Sequence, residues 1–229
     1  MNRLQSYVLN RFALLNKAID ANQLADIIKG NNSDFELGFR VLKVNIISDV
    51  QLAVELLKRL PTYLLDFDSD NSEMIRRESF LFTKSIFEIN LNQQYLMTFG
   101  SLSQNNDAKV FLKRIGLNYK LDQLYIDIAS FYESSNCTYE DVFLKAVAIK
   151  KFNYRNGMVG RFSGEIVDNS IAAELIGNYS KDLLKATFAI KTDGCRFDLQ
   201  IFPNGAFKIL TNDCEQRDIL EKIIPNLLK

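Results

Sequence analysis

An apolar strand, a tight polar turn, a second strand ending on threonine and an amphipathic helix occur together twice in this chain. The first copy is Ser85-Ile-Phe-Glu-Ile-Asn-Leu-Asn-Gln-Gln-Tyr-Leu-Met-Thr98 followed by Asn106 to Ile115. The second is Arg196-Phe-Asp-Leu-Gln-Ile-Phe-Pro-Asn-Gly-Ala-Phe-Lys-Ile-Leu-Thr211 followed by Glu215 to Leu228. Such a recurrence constrains the fold more than any single residue, because it means that one supersecondary unit is used twice. Identity between the copies is low, so the pattern carries the match.

Periodicity around the copies predicts two like units. Leu4, Val8, Leu9, Phe12, Leu15 and Ile19 recur at near-helical spacing, and Ala21 begins a short helix that Gly30 stops. Residues 1–38 therefore read as an N-terminal helical extension. A strand rich in branched residues, Phe39 to Ile47, leads to Asp49 at an N-cap position for a helix from Val50 to Leu60, limited by Pro61. After a loop from Asp66 to Glu73, strands at Phe80 to Thr83, Phe87 to Leu91 and Tyr95 to Phe99 close a first unit over residues 39–120. Residues 121–146 read as a connecting helix or insertion, with Leu124, Ile128, Phe131 and Tyr132 in helical pattern and an exposed loop from Ser134 to Thr138. A second unit over residues 147–229 repeats strand, helix and three strands. Its Asp193-Gly194 and Asn204-Gly205 dipeptides accept positive φ between paired strands.

Composition excludes several function classes. At 229 residues and 47% hydrophobic, the chain can bury the core of one large or two small domains. No apolar run approaches the roughly 20 residues that span a bilayer, and the first residues lack an uninterrupted signal-peptide core. No membrane partner is expected, and the setting is read as intracellular. Cys137, Cys195 and Cys214 are scattered and odd in number, which suits a reducing compartment and gives no CxxC metal spacing. With no histidine, imidazole catalysis and histidine metal sites are excluded. Asp66, Asp68 and Asp70 lack the glycine and closing glutamate of a calcium loop and read as solvated. No cofactor or metal is expected. Because 28 Lys plus Arg balance 28 Asp plus Glu, nucleic-acid binding has to rest on local arrangement. The basic-leaning windows are Lys145 to Arg161, with Lys150, Lys151 and Arg155, and Lys109 to Arg114; a solvated face is their plain alternative.

The repeated unit resembles the duplicated core of the TATA-binding protein family. The second copy carries the better match, Leu199-Gln-Ile-Phe-Pro-Asn-Gly-Ala-Phe-Lys-Ile-Leu-Thr211, and the last helix ends Ile224-Pro-Asn-Leu-Leu-Lys, similar to the family's closing proline-containing turn. Counting back without a gap through Asn178-Tyr-Ser-Lys-Asp-Leu-Leu places Asn153 where the family has its minor-groove asparagine, and Val44-Asn-Ile-Ile-Ser48 resembles the equivalent strand of the first half. The resemblance spans about residues 40 to 115 and 147 to 229. It implies an α+β saddle of two similar halves, with a curved antiparallel sheet, helices on the convex face and DNA under the concave one. It also implies DNA contacts by Asn45, Asn153, Thr98 and Thr211, with Ile47, Leu96 and Ile209 excluding water from the groove. Phe202, Leu184 and Ile75 would be the apolar wedges that kink the duplex.

Departures from that family pattern are specific. Asn90 or Leu91 stands where a first-half wedge phenylalanine is expected, Asp198 and Gln200 bring polarity to the strand face of Phe202, and Arg155 replaces an apolar residue. The resemblance implies a non-enzymatic transcription-initiation factor that binds and bends A/T-rich promoter double-stranded DNA and recruits RNA polymerase through other initiation factors. The alternative is a protein-interaction subunit of a transcription assembly that keeps the fold without autonomous DNA binding. A third class, the substrate-binding appendage of a ribonuclease or glycosylase, would need clustered carboxylates or a helix-hairpin-helix, neither of which the sequence offers. Abundant Asn, Ile and Lys without Trp or His suggest an AT-rich genome, such as a large DNA virus or a parasite. Localisation is then expected in a nucleus, or in cytoplasm or virion for a viral protein.

Overall fold

Strand alternation accounts for most of the architecture in the computed structural model, which describes residues 3–15, 19–31, 35, 38–68, 73–154, 157–211 and 214–229. The chain divides into a first unit, residues 11–122, and a second unit, residues 1–10 with 123–229. Each is α+β, an antiparallel sheet with helices packed on one face.

The first unit begins with the end of β1 (Arg3–Leu14) and contains α1 (Ala21–Gly30), β2 (Phe39–Ser48), β3 (Gln51–Asp68), β4 (Glu73–Asn90), β5 (Tyr95–Phe99), α2 (Leu102–Arg114) and β6 (Tyr119–Gln123). Strands β2 to β5 lie side by side in sequence order, with the end of β1 beside β5 and β6 also on β1. Asp20 caps α1, accepting from the Gln23 amide at 2.8 Å while Gln23 returns the bond at 3.2 Å. Under α1 and α2 the sheet buries Leu52, Val54 and Leu56 of β3 with Phe87, Ile89 and Leu96, against Leu24, Ile28, Phe111 and Leu112 of the helices.

In the second unit α3 (Ile128–Thr138) precedes β7 (Asp141–Asn153), β8 (Val159–Glu165), α4 (Ala172–Tyr179), β9 (Leu183–Thr192), β10 (Cys195–Ile201), β11 (Ala206–Thr211) and α5 (Gln216–Leu227). Its strand order is β8-β7-β9-β10-β11-β1. The rings of Phe131 and Tyr132 on α3 lie 5.6 and 5.9 Å from that of Phe188 on β9. Tyr139, which follows α3, donates to the Lys222 carbonyl of α5 at 3.2 Å and accepts from Asn226 at 3.0 Å. Both units thus run helix, four sequentially adjacent antiparallel strands, helix, the second with β8 and α4 inserted between its first two strands.

Several sequence expectations are corrected. Residues Arg3–Leu14 are a strand: Tyr7, Val8, Leu9 and Asn10 are buried in succession, on both faces, which hides the alternation and leaves a helix-like spacing. Val50 to Leu60 is not a helix capped by Asp49. Ser48 meets Gln51 across a tight turn, and Leu52, Val54 and Leu56 bury at period two. Nor does Pro61 end the element. The Arg59 amide points to the β2 side, onto the Gly38 carbonyl at 3.2 Å, so the Pro61 nitrogen two residues on faces the same side, beyond the last β2 partner Phe39↔Lys58. The segment 121–146 is no single connecting helix but the end of β6, then α3, then the start of β7, and Ser134 to Thr138 is helical. Pro225 lies inside α5, not in a closing turn. Cys195 and Cys214 form a disulfide with a Cα–Cα distance of 5.9 Å, leaving Cys137 as the free thiol. Of the Asp66 to Glu73 loop, Asp66 to Asp68 and Glu73 belong to strands, and 69–72 lie outside the described residues.

Candidate nucleic-acid interface

The face of the second sheet opposite its helices is built by strict alternation. On β9 Ala186, Phe188 and Ile190 point to the helices, so Lys185, Thr187, Ala189 and Lys191 point away. On β10 the outward residues are Arg196, Asp198 and Gln200, and on β11 they are Ala206, Lys208 and Leu210. Register sets these in rows. Phe143, Ala189, Asp198 and Leu210 lie side by side across four strands, and Asp141, Lys191 and Arg196 form the next row on the same face. Small Ala189 between larger neighbours leaves a cup of about 410 Å³, walled by Phe143, Lys191, Arg196, Asp198 and Leu210.

Electrostatics divide this face unevenly. Strands β7, β9, β10 and β11 bring to it the cations Lys145, Lys185, Lys191, Arg196 and Lys208 and the carboxylates Asp141 and Asp198, and β8 adds Arg161 and Glu165, the latter opposite Ala146 in the row of Thr187. Lys145 pairs with Asp198 at 2.6 Å and Lys191 with Glu140 at 2.8 Å. The hydrogen bond from Lys191 holds the Glu140 carboxyl below its ordinary range. Lys185, Arg196 and Lys208 have no carboxylate partner among the described residues, so their charge is available to an anion. The Lys208 ammonium lies 5.9 Å from the centre of the Phe202 ring. No sequence window reveals this grouping, because the cations come one or two per strand; the alternation of β9 is visible, but its neighbours are not.

The residues named from the resemblance are dispersed. Leu96 and Ile209 are wholly buried core residues beneath the helices. Thr98 and Thr211 do hold corresponding positions, opposite Phe87 and Phe197, but on the covered face. Thr98 donates to Asn105 of α2 at 3.1 Å, and the Thr211 hydroxyl has no partner among the described residues. Neither can read a groove. Asn45 and Ile47 are exposed on β2, and Asn153 is exposed at the end of β7. The asparagines are not counterparts: the row Asn45, Ala53, Glu88, Met97 matches Phe143, Ala189, Asp198, Leu210, so Asn45 corresponds to Phe143. Ile75 is half-buried on the β3–β4 ribbon, and Leu184 and Phe202 are half-buried in the second unit. Arg155 lies outside the described residues.

Among the described residues, no group of Cys, Asp and Glu side chains is arranged to hold a metal ion, and no helix is long and apolar enough to cross a membrane. No family model matches the chain, and no curated protein matches it.

Proposed function

We propose that the protein is a non-enzymatic nucleic-acid-binding factor that contacts DNA with the open sheet face of its second unit. The observation that carries this reading is local: in a chain of zero net charge, Lys185, Arg196 and Lys208 come together on one sheet face and have no carboxylate partner among the described residues. Phosphate neutralisation supplies most sequence-independent affinity, and aromatic and small side chains between the cations allow close approach. The recurring helix, four strands, helix order and the matched Thr98 and Thr211 support reading the units as two copies of a TATA-binding-protein-like half-saddle. Within that reading the protein works in transcription initiation, on A/T-rich promoter DNA, beside other initiation factors and RNA polymerase. Anisotropy or gel-shift titration with A/T-rich and G/C-rich duplexes, with and without candidate partner factors, across a salt series, tests it. Salt-dependent binding is expected, and Phe202→Ala should reduce any bend. Absence of binding at low salt overturns the proposal.

A second reading, a protein-interaction subunit, is favoured by the end of the β3–β4 ribbon. Beyond β2 and β5 the two strands pair, among the described residues, only with each other and expose Tyr63, Leu64, Leu65, Met74, Leu81 and Phe82, each more than half accessible. Apolar exposure on this scale marks a contact surface. Under this reading DNA binding is absent, and Leu65→Asp with Phe82→Asp removes association with partner factors in sedimentation.

A further inference from the structure

We infer that the cup floored by Ala189 holds one unstacked nucleobase bearing an exocyclic amino group, as a single strand of DNA or RNA presents it. The inference rests on the reading that this face meets nucleic acid, and it names what the face selects. Phe143 and Asp198 stand on either side of Ala189, two strand spacings apart, about 9.6 Å. A flat ring laid over the alanine methyl therefore meets the Phe143 ring at one edge and the Asp198 carboxylate at the other. An ionised carboxylate only accepts hydrogen bonds, so it takes the amino group of cytosine or adenine and opposes the carbonyl edge of thymine or uracil. Arg196, in the next row of the same face beside Asp141 and the Lys191–Glu140 ion pair, is placed for the attached phosphate.

Comparison with the first unit shows that this acceptor is left accessible. Glu88 is the counterpart of Asp198, yet it is buried, receiving hydrogen bonds from Gln51 and, at 3.3 Å, from the Tyr95 hydroxyl. The positions of Gln51 and Tyr95 correspond to Thr187 and Lys208 in the second unit. Asp198 is instead held by Lys145 alone among the described residues, with a quarter of its side chain open to solvent. A base in a duplex is covered by its stacked neighbours, so the cup requires a single strand.

Fluorescence anisotropy with labelled oligo-dC, oligo-dA, oligo-dT, oligo-rC and a duplex tests the inference on the full chain. Oligo-dC and oligo-dA should bind about tenfold more tightly than oligo-dT, and the oligo-rC arm reports whether RNA is accepted as well. Ala189→Leu, which fills the floor without changing charge, should weaken single-strand binding by about tenfold or more, and Asp198→Asn should erase the preference over oligo-dT. Thermal unfolding of both variants checks that the fold is intact. Equal binding of oligo-dC and oligo-dT, or an unaffected Ala189→Leu, overturns the inference. Binding of the duplex but no single strand overturns it and leaves the function proposed above standing, whereas binding of neither removes both.

Discussion

Thr98 and Thr211 show what single residues disclose and what they do not. Their matched placement was legible as the end of a repeated strand, but period-two alternation cannot say which face the helices cover, and both lie on the covered one. Their surroundings differ, so the same substitution should have opposite signs. Thr98→Val loses the bond to Asn105 and should cost about 1 kcal/mol, while Thr211→Val removes a hydroxyl with no partner among the described residues and should add about 1 kcal/mol. Urea unfolding midpoints decide this, and a loss of equal size in both would contradict it. Gly205 is irreplaceable for two reasons: its φ is +84°, and an added Cβ would lie 2.5 Å from the Leu9 carbonyl oxygen. Gly205→Ala should therefore destabilise by roughly 1–3 kcal/mol. Burial holds the phenol of Tyr7 well above its ordinary value of 10.0. The folded state keeps the proton that the unfolded state loses, so the associated stability is complete below pH 10 and falls as pH rises beyond it. A melting temperature followed from pH 8 to alkaline values should fall, and less steeply in Tyr7→Phe.

At the scale of elements, β2, β5, β9, β10, β11 and the turns at Asp193-Gly194 and Asn204-Gly205 were legible, whereas β1, β3, β6, β8 and the turn between β2 and β3 were not. In β3 the run from Val50 to Leu60 satisfies both helical and alternating patterns, and its leucines and glutamate favour a helix intrinsically. Pairing with β2 and β4 on both sides decides the outcome, and the proline that suggested a boundary sits where the outer edge needs no donor. The Cys195–Cys214 bond escaped for a related reason. The residues are 19 apart in sequence, and only the β10–β11 hairpin brings the start of β10 to the start of α5. Closing a loop of that length contributes about 3 kcal/mol in the chain-entropy account. Cys195→Ser should lower the unfolding free energy by up to that amount, and a reductant should do the same to the wild type while leaving Cys195→Ser unchanged.

For the molecule as a whole, the sequence's zero net charge argued against an autonomous nucleic-acid surface, and the fold changes the weight of that argument. Residues as far apart as Lys145 and Lys208 come to one face through four adjacent strands, so the average over the chain conceals a local surplus. The end of each repeat, two paired strands closing on threonine before a helix, was readable from the sequence, but the proposed binding face was not, because it is assembled from strand register and not from any contiguous motif. The account's central claim is that Arg196 and Lys208, which have no carboxylate partner among the described residues, contact phosphates. It is tested most directly by the salt dependence of DNA binding, measured by anisotropy for the wild type, Arg196→Ala, Lys208→Ala and the double variant. The account predicts that each single substitution lowers the slope of log affinity against log salt by about 1, and the double by about 2. Slopes identical to the wild type, or binding that does not depend on salt, would contradict it.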